Sequence, residues 1–527
     1  MTTLVAVRVA LGGGAGLLDP GSWFAERPKT WRHTTDGEDL LLSGRVSQPA
    51  DGPAVDRLLI TVRGRLAEIN TVSREDAGRF TIFDLTDVRT RLDGPPANAL
   101  ACRERAATAR FAVDTAAAYL TRVINWLTER AAASQQVVRH RLAAAAVALS
   151  CGRAVVEQLS TVDDPCLAAT LCAAALEAAL EAAELCAETH AGQSIVAAEL
   201  DQLRVLAAVE PAPITPVLPA QPDYRPAASH DVRELVAGLD APTDLASELG
   251  RVEALAQTLP VGVCARLVTH RQVATGYLTG TRWHDDLSAG KALAAIAVTE
   301  PHGGSDLAAL RTTAAPGPGG LVLNGTKTLV AGGVDADVLV VAAVLDRPGI
   351  PRRPVLLAID AGRPEVRRTE LRTPVWPGCG FATVEFQDYR LDPDELLRTP
   401  DNRIAGTAEL LMGLVRERLV LAAQQLGFAR RRLIDLPGQA RLRLRFTAAT
   451  ALLRQSGPDM VEASMAKLVC CAVAADIANV GLLGTDEHLA DLASARAALL
   501  AAGTPDINRE IVAASLLPGL PRWDNHR

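Results

Sequence analysis

Aromatic side chains are scarce in this chain of 527 residues: phenylalanine, tryptophan and tyrosine together make up 3% of it. Hydrophobic residues still make up 49%, so the cores must be built from alanine, leucine and valine, a composition that favours closely packed helices. No clustered basic stripe accompanies the net charge of -7, which argues against nucleic acid as a partner. The nine cysteines, at 102, 151, 166, 172, 186, 264, 379, 470 and 471, show neither CxxC spacing nor an even framework. They read as buried small hydrophobes in a reduced cytoplasm. The histidines form no metal-ligand spacing with cysteine or carboxylate, so no metal is expected. MTTLVAVRVALGGGAGLLDP at the N-terminus lacks the basic flank of a signal peptide, and no apolar run approaches a membrane span without charge. A soluble cytoplasmic protein with no membrane partner is expected, and at this length it needs two or more domains.

The stretch VEPAPITPVLPAQPDYRPAASHD, 209 to 231, has six prolines and no periodicity, and reads as an extended linker. On either side the chain runs from short strands into long helices. LLLSGR (40 to 45) precedes AVDRLLITV (54 to 62), and LVLNGTK (321 to 327) precedes DADVLVVAAV (335 to 344). Gly44 to Asp56 and Gly325 to Asp337 are both twelve residues apart, and both pairs read as a strand, a tight turn at glycine and a second strand. Helical periodicity follows in ATARFAVDTAAAYLTRVINWL (107 to 127) and AELLMGLVRERLVLAAQQLGFARRRL (408 to 433). A tandem duplication is the reading. The copies are unequal, because AVTEPHGGSD (297 to 306) has no counterpart in the first. Gly303 and Gly304 permit close backbone approach there, while Thr299, Ser305 and Asp306 offer short polar groups beside exposed N–H donors. That chemistry fits an anionic or polar planar ligand; it also fits a capped turn between two strands, with Asp306 bonding its own backbone.

AVTEPHGGSD resembles the TEPxxGSD signature of the acyl-CoA dehydrogenases. LNGTKTLVAGG (323 to 333) resembles their second strand motif, RERLVLAAQQLGFARRRL (416 to 433) the opening helix of their C-terminal bundle, and GTPDINREIVAASLLPGLPR (503 to 522) their closing segment. ERAAASQQVVRHRLAAAAVAL (129 to 149) is similar, more diffusely, to a bundle helix. The resemblance implies an α+β, duplicated fold, mostly helical. It would run as a degenerate β-barrel domain (1–100), a first helical bundle (101–208), the linker (209–231), a shortened N-terminal helical domain (232–290), a β-barrel domain (291–398) and a second bundle (399–527). It also implies FAD, at most one per chain. Val298 and Thr299 would face the flavin ring, Gly304 and Ser305 its pyrophosphate side, Leu329 and Ala331 the other approach to the ring and Thr504 its edge, with Gln136 as a further cofactor contact. The implied partners are an acyl thioester substrate, an electron-transfer flavoprotein and a second fused chain in a homodimer.

Dehydrogenation of an acyl thioester needs a desolvated carboxylate to remove the α proton. Most family members place a glutamate before the closing GT, where this chain has Ala502. Isovaleryl-type and long-chain members instead supply the base from an ER pair on the opening bundle helix. Glu417 and Arg418 form that pair, so Glu417 is the candidate base, with the Ala502 N–H as donor to the thioester carbonyl. Among Arg416, Arg418 and Arg430, Glu417 equally fits a helix-surface ion pair. Both copies lack the RxxFG stretch, the late glycine pair is reduced to HAGQ (190 to 193) and LLGTDE (482 to 487), Ala331 lacks the usual hydroxyl, and Val415 replaces a common acid. Two readings stay open: a flavin-dependent acyl thioester dehydrogenase, or a protein of that fold without redox function, acting as a flavin-free lyase or cyclase or as a structural partner.

Overall fold

The computed structural model describes the backbone of strands between residues 6 and 91 and, with short breaks, residues 97–189, 200, 203–204, 231–480 and 486–517. It divides into two compact units: residues 1–130, 144–218 and 443–451 form the first, and 131–143, 219–442 and 452–527 the second. The expected linker lies outside the described residues apart from Asp231, as do HAGQ and most of LLGTDE.

In the first unit, β1 (Ala6–Ala10), β5 (Arg57–Val62) and β6 (Arg65–Ile69) form one antiparallel sheet. A second contains β2 (Phe24–Ala25), β4 (Asp39–Pro49), β8 (Phe80–Arg91) and β7 (Ser73–Ala77), with β3 (Arg32–Asp36) on β4. Helices α1 (Ala97–Glu129), α2 (Gln136–Leu159, whose residues up to 143 belong to the second unit) and α3 (Pro165–Thr189) follow. The helix expected over 129 to 149 is therefore interrupted: α1 ends at Glu129 and a short turn precedes α2. Alanine lets these helices approach closely. A Cβ on Gly152 of α2 would lie 2.9 Å from a methyl of Val113 on α1. Contrary to the reading of the apolar runs, α2 and α3 are long and apolar enough to cross a membrane, but 72% and 67% of their apolar windows are buried inside the protein. Cys166, at the start of α3, is exposed rather than buried; the other eight cysteines are buried as expected.

The second unit opens with α4 (Val232–Ala237), capped by Asp231, then α5 (Leu245–Thr258), α6 (Val261–Gly276) and α7 (His284–Ser288). Its sheet contains β9 (Ala294–Ala297), β10 (Thr313–Gly317), β11 (Gly320–Val330), β12 (Val338–Arg347), β13 (Ile350–Asp360), β14 (Val366–Glu370) and β15 (Ala382–Arg390). The ladders run β13-β12-β10-β11-β15-β14, with β9 parallel to β12. The expected barrel is thus an open path of mixed pairing among the described strands, and the exposed arginines and glutamate of β14 make its edge unattractive to a further strand. Alternation divides the buried side chains of β12 between two faces. Leu339, Val341, Ala343 and Leu345 join the core against β13 and β15, whereas Val338, Val340, Ala342 and Val344 meet Val273, Leu287 and Leu410 of the helices. Helices α8 (Thr407–Ile434), α9 (Ala440–Gln455), α10 (Met460–Val480), α11 (Asp486–Ala498) and α12 (Pro505–Leu516) complete the chain.

The expected turn at Gly325 is not one. Gly325 lies inside β11, β10 sits between β11 and β12, and the two expected partners do not pair. Gly325 has φ +148 at a register shift against β15, and a Cβ there would lie 2.6 Å from the Thr312 Cα. Glycine is needed for a bulge and a close approach. Gly44 marks the same irregularity in β4: Leu42↔Val88 gives way to Gly44↔Leu85, as Leu323↔Tyr389 gives way to Gly325↔Phe386. There too the expected pair is separated, because β5 belongs to the other sheet.

Candidate active site

β9 ends at Ala297, and the chain turns where Glu300 and Gly303 exchange backbone hydrogen bonds of 3.0 Å. What anchors this loop is Glu300, which sequence reasoning left unassigned. Its buried carboxylate accepts from Lys327 Nζ at 2.8 Å and from the backbone N–H groups of Arg311 and Thr312 at 2.8 and 2.9 Å. Burial disfavours the charge, yet these donors outweigh it and bring the carboxyl down to about 2. Lys327 also donates to the Val298 carbonyl, and the Thr328 N–H donates to that of Thr299. Val298, Thr299 and Glu300 are thereby fixed alongside Lys327, Thr328 and Leu329. Asp306 accepts from the Ala308 N–H at 3.0 Å, which is the self-capping that the turn reading expects. His302 is exposed in the loop, with Nε2 3.0 Å from the Ala309 carbonyl oxygen.

The outer rim is polar and open. Gly304 and Ser305 are exposed, Thr299 is half-buried, and Leu329 is 59% exposed at φ +55. No hydrogen bond to a described residue uses the N–H groups of Gly304 and Ser305. A Cβ on Gly304 would sit 3.0 Å from the Thr299 hydroxyl oxygen, so any larger residue there must push the Thr299 side chain aside. Free N–H donors and short hydroxyls beside an apolar side chain fit a flavin with its pyrophosphate.

The bundle contributes a second cluster. Glu417, half-buried on α8, is surrounded in sequence by arginines that all bond elsewhere. Arg416 pairs with Glu248 at 2.8 Å, Arg430 with Glu253 at 2.9 Å, and Arg418 donates from Nε to the Ala502 carbonyl at 3.0 Å. Among the described residues Glu417 makes no ion pair. The surface-pair alternative is therefore not what the side chains do. Desolvation pushes the Glu417 carboxyl above its ordinary value, opposed by the charges of Arg418 and Lys467. Burial and the nearby Glu417 charge raise the Tyr277 phenol in turn. Tyr277 was missed because nothing in its sequence marks it; its hydroxyl lies 1.6 Å from where a Cβ on Gly413 would stand, one turn before Glu417.

Arg418 and Lys467 are buried cations directed at the turn before α12. Lys467 Nζ donates to the carbonyls of Leu499 and Gly503, and Asn508 Nδ2 to those of Gly503 and Thr504. Ala502 is held at φ +53, a left-handed conformation that costs about 1–2 kcal/mol for an L-residue. Thr504 caps α12, accepting from the Ile507 N–H. Ala331 and Ala502 pack on one apolar cluster with Trp376, Phe381 and Leu421, while Val298 packs with Tyr277 and Leu414 on another. Gln136 is exposed at the start of α2; three residues on, Arg139 forms a bidentate pair with Glu510 of α12 at 2.8 and 2.9 Å. The first turn of α2 is thus tied to the second turn of α12.

The family model described as acyl-CoA dehydrogenase, middle domain, matches residues 295–389, which span β9 to β15. That stretch is similar to the acyl-CoA dehydrogenase family. The chain is 34% identical over 141 residues to the long-chain specific acyl-CoA dehydrogenase of Sus scrofa, covering 26% of this chain and 32% of that one. To isovaleryl-CoA dehydrogenase of Pongo abelii it is 30% identical over 144 residues, 27% and 33% of the two chains. The chain therefore spans about a third of the length of these relatives. Butyryl-CoA dehydrogenase from Megasphaera elsdenii aligns in structure over 54% of this chain and 89% of its own, with 21% identity and a TM-score of 0.48.

Proposed function

We propose that the chain is a flavin-dependent α,β-dehydrogenase of acyl thioesters in which Glu417 removes the α proton. The observation that carries this is a desolvated carboxylate left without an ion pair although Arg416, Arg418 and Arg430 stand near it in sequence. A general base needs that state: a carboxyl raised by burial and committed to no other partner. The Ala502 N–H would hold the thioester carbonyl as negative charge develops on it. Thr299, Gly304 and Ser305 would hold the cofactor, with Val298, Leu329 and Ala331 around its ring and Thr504 and Gln136 at its margins. FAD bound there supplies the acceptor for the β hydride, and an electron-transfer flavoprotein would take up the electrons.

The matching bulges at Gly44 and Gly325 support descent of both halves from one duplicated module. Only the second has the flavin loop. Released FAD should therefore reach at most one per chain, and replacing Gly304 and Ser305 with tryptophan should remove all of it. A measured ratio near two would defeat the single-site claim. The alternative without redox function is favoured by Ala331, which offers no hydroxyl and packs on an apolar cluster. A visible flavin spectrum that survives gel filtration would dispose of it.

A further inference from the structure

We infer that Lys467 is a positioning residue, clamping the turn before α12 so that its N–H groups face the acyl thioester. This rests on the dehydrogenase reading above. The ammonium donates at once to the carbonyls of Leu499 and Gly503, four residues apart, and so closes the turn from within. In a trans peptide the carbonyl and the following N–H point in opposite directions. Arg418, by holding the Ala502 carbonyl inward, turns the Gly503 N–H outward. Lys467 and Asn508, by holding the Gly503 carbonyl, do the same for the Thr504 N–H. These two planes flank Gly503, at φ +95, and Ala502 before it also stands at positive φ. Its own N–H donates to no described backbone acceptor.

Sequence usage supports a specific need for an ammonium here. Of the 54 basic residues only four are lysine, at 29, 291, 327 and 467. Lys327 and Lys467 are both buried, and each bonds to backbone carbonyls. A compact ammonium with three donors fits between converging carbonyls where a planar guanidinium does not. Burial lowers Lys467 to about 8, which leaves it largely cationic at neutral pH.

The test compares the full-length parent with Lys467→Met and Lys467→Arg, all loaded with FAD, using 3-thiaoctanoyl-CoA, a thioester that cannot lose a β hydride. In Lys467→Met, amide exchange across 499–508 should quicken at least tenfold and probe affinity should fall about tenfold, with flavin content unchanged. The thioester carbonyl stretch, displaced to lower frequency in the parent, should return toward its solution value. Lys467→Arg keeps a cation and should recover part of the carbonyl displacement, which also serves if the methionine variant does not fold. Unchanged exchange and an unchanged carbonyl stretch in variants that bind the probe overturn the role of Lys467 alone. A flavin-loaded parent that binds no thioester overturns the dehydrogenase reading and this role with it.

Discussion

Glu417→Gln is expected to leave the fold and any bound flavin intact while slowing flavin reduction by an acyl thioester by about 10³-fold or more, since the amide cannot accept the α proton. The same residue sets a pH dependence. Only the ionised carboxylate acts as base, and its folded-state value lies above the ordinary 4.5, so reduction should rise with pH through that higher value and then level off. Because the charges of Arg418 and Lys467 favour ionisation of Glu417, removing the Lys467 charge should move the rise to higher pH. Stopped-flow flavin reduction across pH measures both effects. Reduction in Glu417→Gln at close to the parental rate would show that the base lies elsewhere.

Removing the carboxylate of the buried Glu300–Lys327 pair should act on stability instead. Glu300→Ala leaves Lys327 as an uncompensated cation in the sheet core, and breaking a buried pair from one side costs about 3–5 kcal/mol. The expected result is a lower urea midpoint together with loss of flavin, because Lys327 and Glu300 hold the Val298 to Gly303 turn. Glu300→Gln combined with Lys327→Met should regain most of that stability, since no charge is then stranded. A double variant as unstable as Glu300→Ala would show that the pair matters for its shape alone. Acid should act in the same direction. The folded-state carboxyl, at about 2, lies below its ordinary 4.5. Its stabilising contribution is therefore complete above the unfolded-state value and is lost as pH falls through 2.

Several of these features were legible in the chain as written. Periodicity located α8 to within a residue of its observed start and end, because helical amphipathicity is a local property. The loop at Thr299 stood out because glycine, proline and short polar residues interrupt a strand, and that interruption is also local. The apolar runs of α2 and α3 were harder to judge, since a core helix and a membrane span have the same composition and differ only in what surrounds them. The supposed turns at Gly44 and Gly325 misled for a related reason. Glycine serves a turn and a bulge equally well, and only strand pairing distinguishes them.

By itself the sequence determined a resemblance to one family, the order of strand and helix regions in the second unit, and a short set of polar candidates around TEPHGGSD and the Glu417–Arg418 pair. Those signals lie within a few residues of one another, so local chemistry suffices to read them. Tertiary structure alone decided what each charge does. Arg416 and Arg430 find partners on α5, Arg418 finds a carbonyl 84 residues away, and Lys467 reaches the same turn from α10. Whether a glutamate is a surface ion or a desolvated base depends on which of its neighbours have other partners, and such pairing is set by contacts between elements far apart in the chain.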